Sequence, residues 1–136
     1  EQDIDMIGMG PYITSPGGVM GDLGMMEEGP LLQLAFNMIA VCRLVLKDVN
    51  IAATTALQAL LKTGREVGIS YGANVTMPNL TPTDVRPNYQ LYEGKPCIDE
   101  GRADCRGCLQ RRVESVGRFV GWDTWGDSHH YRKRQV

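Results

Sequence analysis

Short apolar runs alternate with longer stretches in which apolar residues recur at helical spacing. The short runs occupy residues 5–11, 50–55 and 73–77, and they predict strands, although the glycine-interrupted first run is ambiguous by periodicity alone. The helical spacing predicts helices over 31–46 and 57–71. The order strand, helix, strand, helix, strand with short connections is typical of parallel strands joined by crossover helices.

The first helix has one face that we expect to be buried, made of Leu31, Leu34, Ala35, Met38, Val41, Cys42 and Val45. Cys42 on that face is expected to be an inert buried thiol. The last third of the chain differs, since residues 80–96 are proline-rich and turn-like. A helix starting near Asp104 follows, with Leu109, Val113 and Val116 on one face and Gly117 closing it.

Composition is that of one soluble globular domain at most. The chain has 136 residues, of which 43% are hydrophobic and 22% charged, and its net charge is −2. That charge neither indicates nor excludes nucleic-acid binding. No apolar run in the sequence approaches the length that spans a membrane. The chain opens without methionine and reads as a piece of something longer. The end of the chain is basic, and we interpret it as a solvated or partner-facing tail. Its cations are Arg111, Arg112, Arg118, Arg132, Lys133 and Arg134.

Three of the four cysteines, Cys97, Cys105 and Cys108, form a C-x7-C-x2-C pattern. Without other features of a disulfide-rich secreted chain, this pattern favours a metal over disulfides. A structural zinc site would need a fourth ligand, which only His129 or His130 could supply. An iron–sulfur cluster can leave one iron open, so three thiolates suffice. Three free thiols without metal remain an alternative.

Several stretches, in this order along the chain, resemble the C-terminal part of the HydE family: MIGMGPYITSP, NIAATTAL, GREVGISYGANVTMPNLTP and YQLYEGKPC, followed by C-x7-C-x2-C. HydE proteins are radical S-adenosylmethionine enzymes, similar to biotin synthase, that help mature FeFe-hydrogenase. The resemblance implies an α/β fold, the last strand–helix units of a (β/α)8 barrel. Residues 1–80 would supply those units, and residues 81–136 a C-terminal extension with the cysteines and the basic tail.

The resemblance also implies cofactors and site residues. S-adenosylmethionine would bind beside a 4Fe-4S cluster whose C-x3-C-x2-C loop does not occur in this sequence, so this chain alone should be inactive. An auxiliary iron–sulfur cluster would sit on Cys97, Cys105 and Cys108. The binding cavity would be lined near the carboxyl ends of the strands. Its predicted residues are Met6, Ile13, Thr54, Thr55, Met77 and Tyr89, with Ile13 near the adenine and Tyr89 near S-adenosylmethionine.

Four of these residues also have a structural interpretation. Met6 and Ile13 could be ordinary core residues. Thr54 and Thr55 close a buried strand, where two hydroxyls need partners, but they could equally cap the helix that follows.

Two classes of function stay open. The first is part of a cytoplasmic, anaerobic maturase that acts through a 5′-deoxyadenosyl radical on a small iron–cysteine complex, with a related biotin synthase-like enzyme as a variant. Its partners would be the missing N-terminal part of the barrel and other hydrogenase maturation proteins, with no nucleic acid and no membrane. The second is a non-catalytic iron–sulfur or zinc binding module.

Overall fold

Two short strands pair in parallel at the centre of the fold. The structure, a computed structural model, describes residues 3–15, 17, 18, 20, 26–89 and 102–135, with the backbone alone for 102–105. Strand β1 (Met6–Met9) pairs with β2 (Asn50–Ala53) in the register Met6 to Asn50 and Met9 to Ala53. The predicted parallel arrangement of these two strands is confirmed.

The predicted third strand is reduced to one parallel bridge, between Ala52 and Val75. Its main chain still bonds β2, since Val75 N–H donates to Ile51 O over 3.1 Å and Ala53 N–H donates to Val75 O over 2.8 Å. At Ile51 a side chain replaces the main-chain acceptor that a neighbouring strand would supply. Asn74 Oδ1 accepts the hydrogen bond from Ile51 N–H at 2.8 Å. Pro78, which lacks an N–H, follows two residues after Thr76. The strand is therefore short on both sides of Val75.

Helix α1 (Glu28–Val45) joins β1 to β2, and its orientation differs from the prediction. Ala35, Phe36 and Ile39 are its buried residues, and Leu32, Cys42 and Leu46 pack partly against the core. The expected face was wrong in part, because α1 carries two apolar stripes and the other one faces outward. The exposed residues of that other stripe are Leu34, Met38, Val41 and Val45.

By length and composition alone, α1 is also apolar enough to cross a membrane, contrary to the expectation from sequence. Its 18 residues include only two charged ones, Glu28 and Arg43. Three of its residues, Ala35, Phe36 and Ile39, pack into the protein core. A single helix of this kind is weak evidence for a membrane segment.

The helix predicted over 57–71 is two helices, α2 (Thr55–Leu60) and α3 (Gly64–Ser70). Between them the chain turns sharply, and Gly64 N–H donates to Leu61 O at 2.7 Å. A Cβ at Gly64 would lie 2.1 Å from Leu57 O, so only glycine permits this approach. Apolar spacing continues across the turn, which is why periodicity did not reveal the break.

The hydrophobic core of the described residues lies on the helix side of the sheet. It is built from Ala35, Phe36, Ile39, Val49, Ile51, Ala53, Leu57, Ile69, Ala73, Leu109 and Val113. After a 3-10 turn at Arg86–Tyr89, helix α4 (Arg102–Glu114) contributes Leu109 and Val113 to it. Gly117, with φ of 69°, follows α4, so the predicted helix and its closing glycine are confirmed.

The basic end of the chain packs against the amino ends of both strands. Helix α5 (His129–Arg134) pairs Lys133 with Asp48 and Arg134 with Asp3 and Asp5. The backbone is held as well, since Asn50 Nδ2 donates to Gly126 O at 2.7 Å. Residues 131–135 are exposed, which agrees with a solvated tail, and Lys133 and Arg134 also pair with carboxylates of this chain.

Candidate functional site

A pocket of about 480 Å³ opens at the carboxyl ends of β1 and β2. Three segments meet there: the end of β1, the start of α2 and the chain after Val75. In parallel α/β folds, ligands bind at this end of the strands. The lining residues are Gly8, Met9, Gly10, Pro11, Ala53, Thr54, Thr55, Ala56, Met77, Pro78 and Asn79.

Thr54 and Thr55 lie side by side on one wall of this pocket. Thr54 occupies the position before α2, yet its side chain makes no capping hydrogen bond. Its hydroxyl donates instead to Met9 O over 3.3 Å and so ties the end of β2 to the end of β1. The capping alternative is therefore not what the Thr54 side chain does.

The close contact between the strand ends depends on Gly10, which sequence reasoning did not single out. A Cβ at Gly10 would lie 2.4 Å from Thr54 Oγ1. Only a residue without a side chain leaves room for the hydroxyl at this point. The signal was present in the sequence as two glycines, Gly8 and Gly10, flanking Met9 just before a proline.

Two buried arginines donate hydrogen bonds to main-chain oxygens of the pocket wall formed by Met77 to Asn79. Arg86 is 3% exposed, and its guanidinium donates to Thr81 O at 2.6 Å and to Asn79 O at 3.1 Å. Arg65 is 5% exposed and donates to Met77 O at 3.5 Å. Both place positive charge behind carbonyls that form the pocket wall. Their sequence context, a helix and a proline-rich turn, gave no signal for this role.

The structure brings three of the six predicted binding residues together: Thr54, Thr55 and Met77 all line the pocket. Ile13 is half-buried beyond the end of β1, outside the lining. Tyr89 ends the 3-10 turn and is 55% exposed. Their binding roles stay predictions.

Met6 differs from the expected placement at the carboxyl end of the first strand. It is the first residue of β1, at the amino end, because the strand runs from Met6 only to Met9. Side chains alternate along a strand, so Met6 shares the sheet face of Gly8 rather than that of Ile7, which packs against the core. Met6 is outside the pocket lining.

The chemistry of the pocket is that of binding. Its lining supplies two hydroxyls, one amide side chain and the apolar surfaces of Met77 and the two prolines. No histidine or carboxylate is among these lining residues, so the described wall holds no general base. Such a surface suits a ligand with one polar end and one apolar side.

The predicted metal site lies only partly within the described residues. Cys97 falls outside them, and the side chain of Cys105 is not described. Cys105 and Cys108 are three residues apart on α4, so both lie on one side of the helix, and Cys108 is half-buried. That spacing fits two ligands of one metal centre. Among side chains within the described ranges, no group of three metal-binding residues occurs.

The zinc alternative loses one of its two candidate histidines. His130 Nδ1 lies 3.0 Å from Asp5 Oδ1, and His130 Nε2 lies 3.2 Å from Asp3 Oδ1. Both ring nitrogens thus already face carboxylates at the amino ends of the strands. His129 remains as an exposed residue at the start of α5.

These features define a class: a parallel strand–helix unit with a ligand pocket at the carboxyl ends of its strands and a downstream cysteine helix. No protein-family model matches the chain. One known protein does match: the chain is 41% identical over 126 residues to the FeFe hydrogenase maturase subunit HydE of Thermotoga maritima. The match covers 93% of this chain and 35% of that relative's length. The resemblance to HydE is thereby confirmed, over about a third of the relative.

Proposed function

We propose that this chain supplies the C-terminal strand–helix units of a (β/α)8 barrel in a radical S-adenosylmethionine maturase. The enzyme would help assemble the diiron site of FeFe-hydrogenase. One observation carries the proposal: a chain 41% identical to HydE forms a pocket at the carboxyl ends of parallel strands. Catalytic and binding groups of (β/α)8 barrels lie at that end.

The substrate in this proposal is a small iron–cysteine complex. Thr54 and Thr55 hydrogen-bond its polar end, while Met77 and Pro78 exclude water from its other side. S-adenosylmethionine, when bound beside the 4Fe-4S cluster, supplies the 5′-deoxyadenosyl radical. Ile13 and Tyr89 border that cofactor, and Met6 lines the larger cavity that forms once the rest of the barrel is present. Arg65 and Arg86 keep the Met77–Asn79 wall in position.

An auxiliary iron–sulfur cluster on Cys97, Cys105 and Cys108 completes the proposal. The one-turn spacing of Cys105 and Cys108 on α4 supports it. Its role is accessory, because the radical chemistry belongs to the cluster bound by the C-x3-C-x2-C loop, which this sequence lacks. The setting is the anaerobic cytoplasm, together with other hydrogenase maturation proteins, and this chain alone is inactive.

The test starts from the parent reading frame, in which the proposal requires a C-x3-C-x2-C loop upstream of residue 1. The longer polypeptide is purified without oxygen, loaded with iron and sulfide, and assayed for release of 5′-deoxyadenosine. We expect turnover, and no turnover from the 136-residue chain alone. Absence of the upstream loop would overturn the enzyme proposal.

The role of the two hydroxyls is tested in the same polypeptide. A variant with both Thr54→Val and Thr55→Val should raise KM for the iron–cysteine substrate about tenfold or more, because two hydrogen bonds are lost. Thr83→Val is the matched control, since Thr83 is exposed and outside the pocket lining. Equal KM values for the two variants would contradict the assignment.

A second candidate function is a metal-binding module without catalysis. It is favoured by the same cysteine pair on α4, which needs no barrel to bind metal. The upstream loop discriminates the two candidates, because only the enzyme requires it.

A further inference from the structure

A second cavity, of about 820 Å³, opens at the opposite end of the sheet, beside the amino end of β2. Asn50, the first residue of β2, lines it together with residues 72–76, which follow α3. Most of the segment 118–127, which follows α4, forms its outer wall. The cavity has the size of a ligand-binding site, and it lies away from the carboxyl ends of the strands, where barrel enzymes carry their chemistry.

The outer wall of this cavity is attached to the strand end by hydrogen bonds. Asn50 Nδ2 donates to Gly126 O at 2.7 Å, and His130 N–H donates to Asp48 O at 3.0 Å. Within the wall, the guanidinium of Arg132 donates to Trp125 O at 2.8 Å. The cavity is therefore formed before a ligand arrives, which lowers the entropy that binding would cost.

Two aromatic side chains of the wall lie almost entirely in water. Phe119 is 89% exposed and Trp125 is 84% exposed, which makes them the most exposed large apolar side chains among the described residues. Both line the cavity. Trp122 between them is different, because the guanidinium of Arg106 covers its ring at 4.3 Å. Exposed aromatic residues beside a cavity are typical of surfaces that bind another protein.

The cavity also carries a net positive charge. Its lysine and arginine side chains are Arg43, Lys47, Arg118 and Arg132. Within the part of the chain that the structure describes, none of these four pairs with a carboxylate. Two carboxylates line the cavity, and Asp48 is paired with Lys133, which leaves Asp127 to oppose four cations. Charge complementarity therefore requires an anionic ligand.

The helix ends at this cavity disfavour a phosphate as that anion. Lys47 and Asp48 follow the carboxyl end of α1, and Gly72 follows the carboxyl end of α3. Carboxyl ends of helices carry partial negative charge, whereas phosphates bind at amino ends. Carboxylates distributed along a peptide can pair with the exposed Lys47 and Arg118 and avoid those ends. The exposed aromatic residues then suit an apolar side chain of the same peptide.

We infer that this cavity binds a short acidic segment of a partner protein, with an aromatic side chain among its carboxylates. The carboxylates pair with Lys47 and Arg118, and the aromatic side chain packs against Phe119 and Trp125. The partner docks at the end of the sheet opposite the Thr54 pocket, so that pocket stays open while the partner is bound. This docking goes beyond the proposed reaction and requires no radical chemistry, so the two can fail separately.

The experiment uses the longer polypeptide of the parent reading frame, purified without oxygen. A library of random short peptides displayed on phage is the probe. We expect enrichment of sequences in which Asp or Glu residues flank an aromatic residue. The best peptide is then labelled, and its affinity is measured by fluorescence anisotropy. Enrichment of basic peptides, or no enrichment, would overturn the proposal.

Removing the two exposed cations tests the ionic contacts. Lys47→Gln with Arg118→Gln should weaken binding of the selected peptide about tenfold, because two ion pairs are lost. Lys62→Gln with Arg111→Gln is the matched control, since both residues are exposed, lie outside the cavity lining and carry the same charge. The control should bind as the wild type does. Equal weakening by both variants would reduce the effect to net charge and overturn the site.

The opposing carboxylate provides a test of the opposite sign. Asp127→Asn should strengthen binding about threefold, because it removes the like charge that faces the peptide. Asp123→Asn changes the net charge equally, but Asp123 lies outside the cavity lining, so the affinity should stay the same. No difference between these two variants would contradict the placement of the acidic segment.

The aromatic contacts are tested by Phe119→Ser with Trp125→Ser. This variant should weaken binding at least tenfold, because exposed aromatic residues of this kind dominate the energy of peptide binding. Both side chains lie in water, so the fold should be kept, which circular dichroism checks. Unchanged affinity in the folded variant would overturn the aromatic half of the proposal.

Three results would assign the cavity to another occupant and overturn the partner. The first is ATP that binds more tightly than any selected peptide and is released by the Lys47 and Arg118 variant. The second is a homodimer of the longer polypeptide that dissociates when Phe119 and Trp125 are replaced. The third is a peptide that binds the 136-residue chain but not the longer polypeptide, since the rest of the protein would then fill the cavity.

Discussion

Arg112 on α4 forms a bidentate ion pair with Glu66 on α3, with two hydrogen bonds. Arg112 Nε lies 2.6 Å from Glu66 Oε1, and Arg112 Nη2 lies 2.9 Å from Oε2. The same guanidinium also donates to Lys62 O. This pair attaches the cysteine helix to the layer of helices that covers the sheet. The side chain of Glu66 is only 10% exposed, so the pair is partly shielded from water.

Replacing Arg112 by methionine should therefore lower the free energy of unfolding by about 2 kcal/mol, because Glu66 keeps its charge without a partner. Arg112→Lys should cost part of this, since lysine cannot bond both carboxylate oxygens in the same way. Urea titration followed by circular dichroism measures the change. Arg111→Met is the control, because Arg111 is exposed. Equal losses for Arg111→Met and Arg112→Met would refute the role of the ion pair.

The close approach of Gly10 to Thr54 predicts a strong coupling between the two positions. Gly10→Ala should destabilise the chain by about 1–3 kcal/mol, because the added Cβ would lie 2.4 Å from Thr54 Oγ1. Adding Thr54→Ala should recover part of the loss by removing the clashing hydroxyl. Gly8→Ala is the control, since a Cβ there meets nothing within 4 Å. Unfolding free energies of the single and double variants give the coupling, and strict additivity would count against the contact.

The three thiols of the C-terminal extension predict an iron-dependent absorbance. Anaerobic reconstitution with iron and sulfide should give a visible charge-transfer band, and the variant Cys105→Ala with Cys108→Ala should lose it. Cys42→Ala should keep the band, because Cys42 lies on α1 and packs against the core. In the longer polypeptide, the double variant should retain cleavage of S-adenosylmethionine. Loss of cleavage with the fold and the other cluster intact would show that the extension is more than accessory.

The contact of α5 with the strand ends should weaken in acid. The hydrogen bond from Lys133, aided by its charge, lowers the pKa of Asp48 below its usual value. Because the pKa is lower in the folded state, the stabilisation is present above the unfolded-state pKa of about 3.9 and is lost as the pH falls through the folded-state value. Fluorescence of Trp122 and Trp125 should report this loss below about pH 4.

Lys133→Met should make the acid-dependent step smaller, since Asp48 then keeps no hydrogen-bonded cation, while Arg134 still pairs with Asp3 and Asp5. Asp127→Asn serves as the control, because Asp127 is exposed and forms no ion pair with the other described residues. Identical pH profiles for the wild type and Lys133→Met would mean that Asp48 does not hold the tail.

The sequence made the strand ends predictable, because a buried run that stops at two threonines marks both a strand and its carboxyl end. Thr54, Thr55 and Met77 therefore fell into one pocket. The orientation of α1 was not predictable from periodicity, since Leu34 and Met38 on one stripe are as apolar as Phe36 and Ile39 on the other. Which stripe is buried depends on what stands beside the helix.

Three other features depend on contacts that no local pattern contains. Asn74 shortens the third strand by replacing main chain with its own amide, which looks in sequence like any polar residue. Asp48 and Lys133 are 85 residues apart, so their pairing follows from the fold and not from spacing. Arg86 likewise reveals its role only when Asn79 and Thr81 are folded back onto it.

The contacts of Arg134 with Asp3 and Asp5 bring the two extremities of the described polypeptide side by side. A few residues of flexible linker could therefore join position 135 to position 3 without moving either. A ring closed in this way could be reopened at the exposed turn 61–63, giving a circular permutant with the same strand pairing. The order of the elements along the chain and their arrangement in space are, at this junction, independent of one another.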